Sequence, residues 1–195
     1  MAKTKRDAIW EAALELFAQK GIDSTTTREI AERADTAEGN IYRHFKNKDD
    51  LIQQLFEESA ATFHASLVEA ADAETDPEAR LRRLLRGIFK FADEKREVFA
   101  FLVTAPHADF VRDRDADWRP LPMRLFAGTL QEGHEAGVFR KVDPVLATGW
   151  IVAMTQRAII LSRTPMVTMS KDEVMEQTID AALRVVAVHA GNEVA

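Results

Sequence analysis

The chain has 195 residues, 46% of them hydrophobic and 30% charged, with eight glycines, six prolines and a formal net charge of −6; this suits one or two compact units and excludes a disordered, collagenous or low-complexity protein. Cysteine is absent, which excludes disulfide frameworks, thiol nucleophiles and cysteine-ligated metal sites. Negative net charge argues against a protein that coats polyanions, yet residues 24–48 carry five bases against four acids and stand at +1 while the rest of the chain stands at −7.

Met1 to Phe17 begins basic, but Asp7, Glu11 and Glu15 interrupt any apolar run, so no signal peptide is expected and the protein is placed in the cytoplasm. Ile9, Ala13 and Phe17 recur at i, i+4 and i+8 beside Trp10 and Leu14, predicting a first helix from Thr4 to Gln19 that Lys20-Gly21 ends. Thr26-Thr27-Arg28-Glu29 reads as a capping box that opens a second helix ending near Ala34. Asp35-Thr36-Ala37 has turn and N-cap chemistry, and Gly39 to Phe45 follows as a third short helix with Ile41 and Phe45 inward. Asn47 with Asp50 caps a long helix from Lys48 to Ala71.

Asp76-Pro77 opens a helix expected to run unbroken to Thr104, with Leu81, Leu84, Leu85, Ile88, Phe89 and Phe91 on adjoining positions and Pro106 as its stop. Residues 106–122, with three prolines and the charged run Arg112 to Asp117, read as a short helix or loop. A helix from Pro122 to Ala136 ends at Gly137, and Asp143-Pro144 starts another that reaches Arg163. Its stretch from Val145 to Leu161 contains Gln156 and Arg157, falls short of a membrane span of about 20 apolar residues, and is read as a buried helix, with no membrane partner. Ser170 and Glu173 cap a last helix to Ala190, on which Met175, Ile179, Ala182 and Val186 repeat. The pattern is all-α, some nine helices, with no repeat, strand alternation or flexible linker.

Two short helices joined by a tight turn, after a helix that can bury them, make a helix-turn-helix arrangement. The residues Ala12-Ala13, Leu16-Phe17, Gly21, Thr26-Thr27, Ile30-Ala31, Ala34, Gly39, Ile41-Tyr42, His44-Phe45, Lys48 and Leu51 stand in one register over Ile9 to Leu51. In that register the segment resembles the DNA-binding domain of TetR-family transcriptional regulators. The resemblance implies an N-terminal three-helix DNA-binding domain over 1–48 and a larger helical effector-binding and dimerisation domain over 49–195. It implies a homodimer through the last two helices, a palindromic double-stranded operator, and release of a repressor by a small molecule. Thr27, Thr36, Ala37, Glu38, Asn40, Tyr42, His44 and Lys48 fall where this family commonly touches DNA.

The residues carry chemistry of their own. Gly39 lets its helix approach the major groove, Asn40 can donate to and accept from bases, and Arg43 can take a guanine edge or a phosphate. Tyr42 and His44 offer polar tips to phosphate, while Thr27, Arg28 and Lys48 stand near helix starts suited to phosphate. Three positions depart from the family. Asp35 replaces the usual glycine, Thr36 stands where an apolar residue is usual, and Glu38 is acidic where a base is common; it could accept from a cytosine amine or repel wrong sites.

Phe89, Phe99, Trp118, Met123, Phe126, Trp150 and Met154 could line an apolar effector pocket or make ordinary core, and Arg157 could hold an acidic ligand group or a structural ion pair. The last two helices are apolar enough that a charge at Ile179 or Val186 is expected to separate subunits. An enzyme is not expected: His134-Glu135 lacks a second histidine at ligand spacing, His64, His107 and His189 are dispersed, and no nucleophile elbow, phosphate loop or dinucleotide fingerprint occurs. No cofactor or metal is implied. The alternative is a helical interaction module or ligand-binding protein that has lost DNA binding.

Overall fold

A computed structural model describes residues 4–72, 74–105 and 121–188. Among these are nine helices: α1 Lys5–Lys20, α2 Thr27–Arg33, α3 Glu38–His44, α4 Lys48–Asp72, α5 Pro77–Glu94, α6 Arg96–Thr104, α7 Leu121–Glu135, α8 Pro144–Ser162 and α9 Lys171–Val186. The caps expected at Thr26, Asn47, Asp143 and Ser170 are present, and Thr4 adds another. Thr4, Thr26 and Ser170 each close a reciprocal capping box, with Asp7, Glu29 and Glu173 respectively, and the Asp143 side chain caps α8. Gly21 and Gly137, at φ 84° and 74°, take the left-handed turns that stop α1 and α7.

The chain forms two compact units. The first holds α1, α2, α3, α4 as far as Ala61, and α6; the segment 1–48 lies wholly inside it. α1 packs on α2, α3 and α6. Ile9, Ala13, Phe17, Ile30, Ile41, Phe45, Leu51, Leu55 and Phe101 are its buried centre, and the Phe17 and Phe101 rings stack with centroids 5.8 Å apart. In the second unit, comprising α4 from Thr62, α5, α7, α8 and α9, α5 packs on α7, α8 and α9, and α8 packs on both α7 and α9.

Four expectations are corrected. The helix read as continuous from Pro77 to Thr104 breaks at Lys95, whose φ −128° and ψ 56° are non-helical. Its halves serve different cores: Leu81, Leu84, Leu85, Ile88 and Phe91 belong to the second unit, whereas Phe99, Phe101 and Leu102 belong to the first. No glycine or proline marks the break, only the charged run Asp93 to Glu97. α8 is not a fully buried helix. It is the one helix among the described residues long and apolar enough to cross a membrane by composition, yet only one face is covered, by Ala147, Thr148, Ile151, Thr155 and Ile159. Its outer stripe of Leu146, Trp150, Ala153 and Arg157 is exposed.

Ile179 and Val186 are fully buried within their own subunit, so they are core and not partner-facing residues. The buried set of α9 also includes Val174, Thr178, Ala182 and Leu183, and its flank is tied to α5 by Arg82–Asp180 at 3.0 Å and Arg86–Glu176 at 3.0 Å. Periodicity marks the apolar face of a helix without saying what covers it. Finally, the N-cap of α3 is Ala37, with no side-chain cap bond, so Asp35 and Thr36 do other work.

Candidate nucleic-acid interface

α3 exists because Ile41 and Phe45, one helical turn apart, are both buried in the first unit. Fixing that face turns the others out: Glu38, Gly39, Tyr42, Arg43 and His44 are exposed, Tyr42 by 52%, and Asn40 is half-buried. The turn before α3 is made by Asp35 at φ 48°. Aspartate is one of the few residues other than glycine that tolerates this left-handed region, which explains how it occupies the glycine position of the turn. The Asp35 carbonyl accepts from Lys5 Nζ at 2.9 Å, tying α1 to the turn. Thr36 does not cap; its Oγ1 accepts from Asn40 Nδ2 at 2.7 Å and so fixes the amide of Asn40.

Thr27, Glu38 and Tyr42 are brought together. Thr27 Oγ1 donates to Glu38 Oε1 at 2.6 Å and lies 3.2 Å from the Tyr42 hydroxyl. Lys48 Nζ donates to the Ile22 carbonyl at 2.6 Å, which pins it beside the loop between α1 and α2 and leaves two ammonium protons to other acceptors. The α4 start is less electropositive than the sequence suggested, since Asp49 and Asp50 sit in its first turn and Asp50 accepts from Lys46 N at 2.8 Å. Arg28 is engaged by Glu32 at 2.9 Å, which, with a weaker contribution from Glu38, raises its pKa. Arg43 and the Lys46 ammonium have no hydrogen-bond or ion-pair partner among the described residues.

A Cβ built on Gly39 meets no atom within 4 Å, and its φ is not positive. Neither internal packing nor the backbone requires glycine there, although alanine would favour the helix by about 1 kcal/mol.

The residues expected around an effector are not gathered. Phe99 and Phe126 are buried core, in the first and second unit respectively. Met123 and Met154 are half-buried, Trp150 is 41% exposed with the Arg140 guanidinium 6.0 Å from its ring, and Trp118 lies outside the described residues. Arg157 is exposed and has no ion pair among the described residues, which corrects its reading as a structural salt bridge. Of the seven within the described residues, Phe89 alone lines a cleft of about 660 Å³ in the second unit, where Ile159 and Met175 meet a charged rim that includes Arg83, Arg86 and Lys171. Sequence periodicity missed this rim because its charges come from separate helices.

Comparison with known proteins agrees with this geometry. The family model described as "Bacterial regulatory proteins, tetR family" matches residues 9–55. The transcriptional repressor KstR2 of Mycolicibacterium smegmatis is 27% identical over 144 residues, covering 70% of this chain and 68% of that protein. The regulator TtgR of Pseudomonas putida is 37% identical over 89 residues, 45% of this chain and 42% of its own. Residues 9–55 thus match the TetR family's DNA-binding domain, and the similarity to these regulators supports a DNA-binding transcriptional regulator. A TetR family regulator from Marinobacter aquaeolei shares the fold over 95% of this chain and 96% of its own, with TM-score 0.79 and 19% identity.

Proposed function

We propose that this regulator is a homodimeric repressor whose α3 enters the major groove of a palindromic operator, and that a small apolar or amphipathic effector bound in the second unit releases it. Gly39 carries the DNA-facing part of this reading. A glycine that costs helix stability and serves no contact inside the protein is explained by something that must come close from outside, and a DNA backbone or base edge does so. In this reading residues 1–48 form the DNA-binding part and 49–195 the effector and dimerisation part.

Thr27, Arg28, Tyr42, His44 and Lys48 then meet phosphate, while Glu38, Asn40 and Arg43 face bases, with Thr36 and Ala37 at the approach to the groove. The exposed stripe Leu146, Trp150, Ala153 and Arg157 supports a subunit interface built on α8, with α9 contributing at its margin. Trp150 and Arg157 therefore go to the interface, and the effector reading keeps Phe89 and its cleft, which Phe99, Met123, Phe126 and Met154 do not line. Repression is favoured because KstR2, over most of its length, is a similar protein that bears that role in its name. No catalytic role is assigned, and the protein acts in the cytoplasm.

Selection of bound duplexes from genomic fragments, followed by titration at several salt concentrations, tests this. Lys46 and Lys48 from each subunit would neutralise four phosphates per dimer, so log K should fall against log salt with a slope of about −4. A chain that retains no duplex at low salt would overturn the reading in favour of a protein-only interaction module.

A further inference from the structure

Three groups of the first unit form a relay that the DNA-binding reading leaves unexplained. A carboxylate only accepts, so in the 2.6 Å contact the Thr27 hydroxyl must donate its single proton to Glu38. That proton is then spent, and the 3.2 Å contact between the Thr27 and Tyr42 hydroxyls requires Tyr42 to be the donor. Both neutral donors assigned to phosphate thus point inward in the free protein, onto a negative charge. Glu38 itself is exposed at the start of α3, and no lysine or arginine among the described residues lies within ion-pair distance of it.

We propose that Glu38 is a specificity-determining residue: it holds Thr27 and Tyr42 in the free protein and releases them to phosphate at little cost only where the major groove offers its carboxylate an exocyclic amino group. The argument rests on α3 being the DNA-facing helix. A phosphate that takes the hydroxyl protons displaces Glu38 and brings a second negative charge beside it. The displaced carboxylate must find a donor. In the major groove cytosine N4 and adenine N6 are donors, whereas guanine O6 and N7 and thymine O4 are acceptors that repel it. Every base pair carries one such amino group, so duplexes that place guanine or thymine on the strand facing Glu38 put it on the far base and bind with an unpaired carboxylate facing acceptors. Specificity arises from a penalty on wrong sites as well as from an attraction to right ones.

The test compares the unmodified chain with Glu38→Ala and Glu38→Gln, each put through selection from a randomised duplex pool and then titrated against the selected operator and against random DNA. For the unmodified chain, one position in each half-site should be restricted to cytosine or adenine. Glu38→Ala should lose that restriction, bind random DNA roughly tenfold more tightly, and change little on the operator, so that its specificity ratio falls roughly tenfold. Glu38→Gln, whose amide both accepts and donates, should accept all four bases at that position. Equal base preferences for the three proteins, or equal changes on operator and random DNA, would overturn the proposal while leaving the DNA-binding reading intact. If the unmodified chain binds no duplex, that reading fails first and this proposal with it.

Discussion

Replacing Trp150 by glutamate tests the assignment of the outer stripe of α8 to a subunit interface. A tryptophan side chain offers up to about 250 Å², and Trp150 is 41% exposed, so about 100 Å² of it meets solvent in one subunit. At about 25 cal/mol per Å², covering that area is worth about 2.5 kcal/mol, and a two-fold interface counts it twice, for about 5 kcal/mol. At about 1.4 kcal/mol per tenfold, the dimer dissociation constant should rise by about three decades or more, before the cost of burying a carboxylate is added. Sedimentation equilibrium should show monomers for Trp150→Glu, circular dichroism should show unchanged helix content, and operator binding should weaken. Ile179→Glu is the contrast: its site is fully buried inside the subunit, so it should unfold the second unit and not merely part the subunits. An unmodified chain that is monomeric at micromolar concentration, or a Trp150→Glu protein that dimerises as well as its parent, would refute the reasoning.

Tyr42→Phe and Lys48→Ala should each weaken operator and random DNA by similar factors, since phosphate contacts carry no sequence information, and Lys48→Ala should reduce the salt slope by about 2 for a dimer; titrations at several salt concentrations read both. Glu29 is held at about 2, against an ordinary 4.5, by Lys20 and by the Thr26 amide and hydroxyl. A depressed carboxyl stabilises the fold above its unfolded value and loses that contribution as pH falls towards 2, so Glu29→Gln, which keeps the capping geometry, should flatten the melting temperature profile between about pH 4.5 and 2. Gly133→Ala drives a Cβ into the Phe139 ring and should destabilise the second unit by about 1–3 kcal/mol in denaturant titrations, despite alanine's better helix propensity. An effector that lowers operator affinity a hundredfold, a coupling of about 2.7 kcal/mol, must itself bind a hundredfold more weakly when operator is present; calorimetry with and without operator checks this.

Local chemistry explains which parts were legible in the sequence. Thr26 and Glu29, Ser170 and Glu173, and Asp143 and Leu146 are contacts between residues three positions apart, and their hydrogen bonds form as their spacing dictates. The inward pair Ile41 and Phe45 followed from helical period alone. What escaped depends on distant partners. Lys95 breaks a helix because Phe91 and Phe99 are claimed by different cores, and a charged run without glycine or proline carries no sign of that. Ile179 and the outer stripe of α8 were confused because hydrophobicity is the same whether one's own subunit or another covers it. The relay from Tyr42 through Thr27 to Glu38 spans 15 residues and two helices, so sequence spacing alone could not show it.

Whole-chain charge conceals how the bases are spent. In the first unit Arg6 is paired with Glu58 at 2.7 Å, Lys20 with Glu29, Arg28 with Glu32 and Arg33 with Glu15. Each of these cations faces an acid of its own, and an exposed pair of that kind presents little net field a Debye length away. Arg43, Lys46 and Lys48 are not committed to carboxylates; they follow one another within six residues, at the end of α3 and the start of α4. Asp35 and Glu38 stand before them in the chain, at the other end of α3. The helix therefore carries acid at its approach and base at its exit, so a duplex is attracted at one end and examined at the other. A protein of net charge −6 can bind a polyanion in this way because the potential that matters is that of one short helix and its flanks, within about 10 Å of the phosphates.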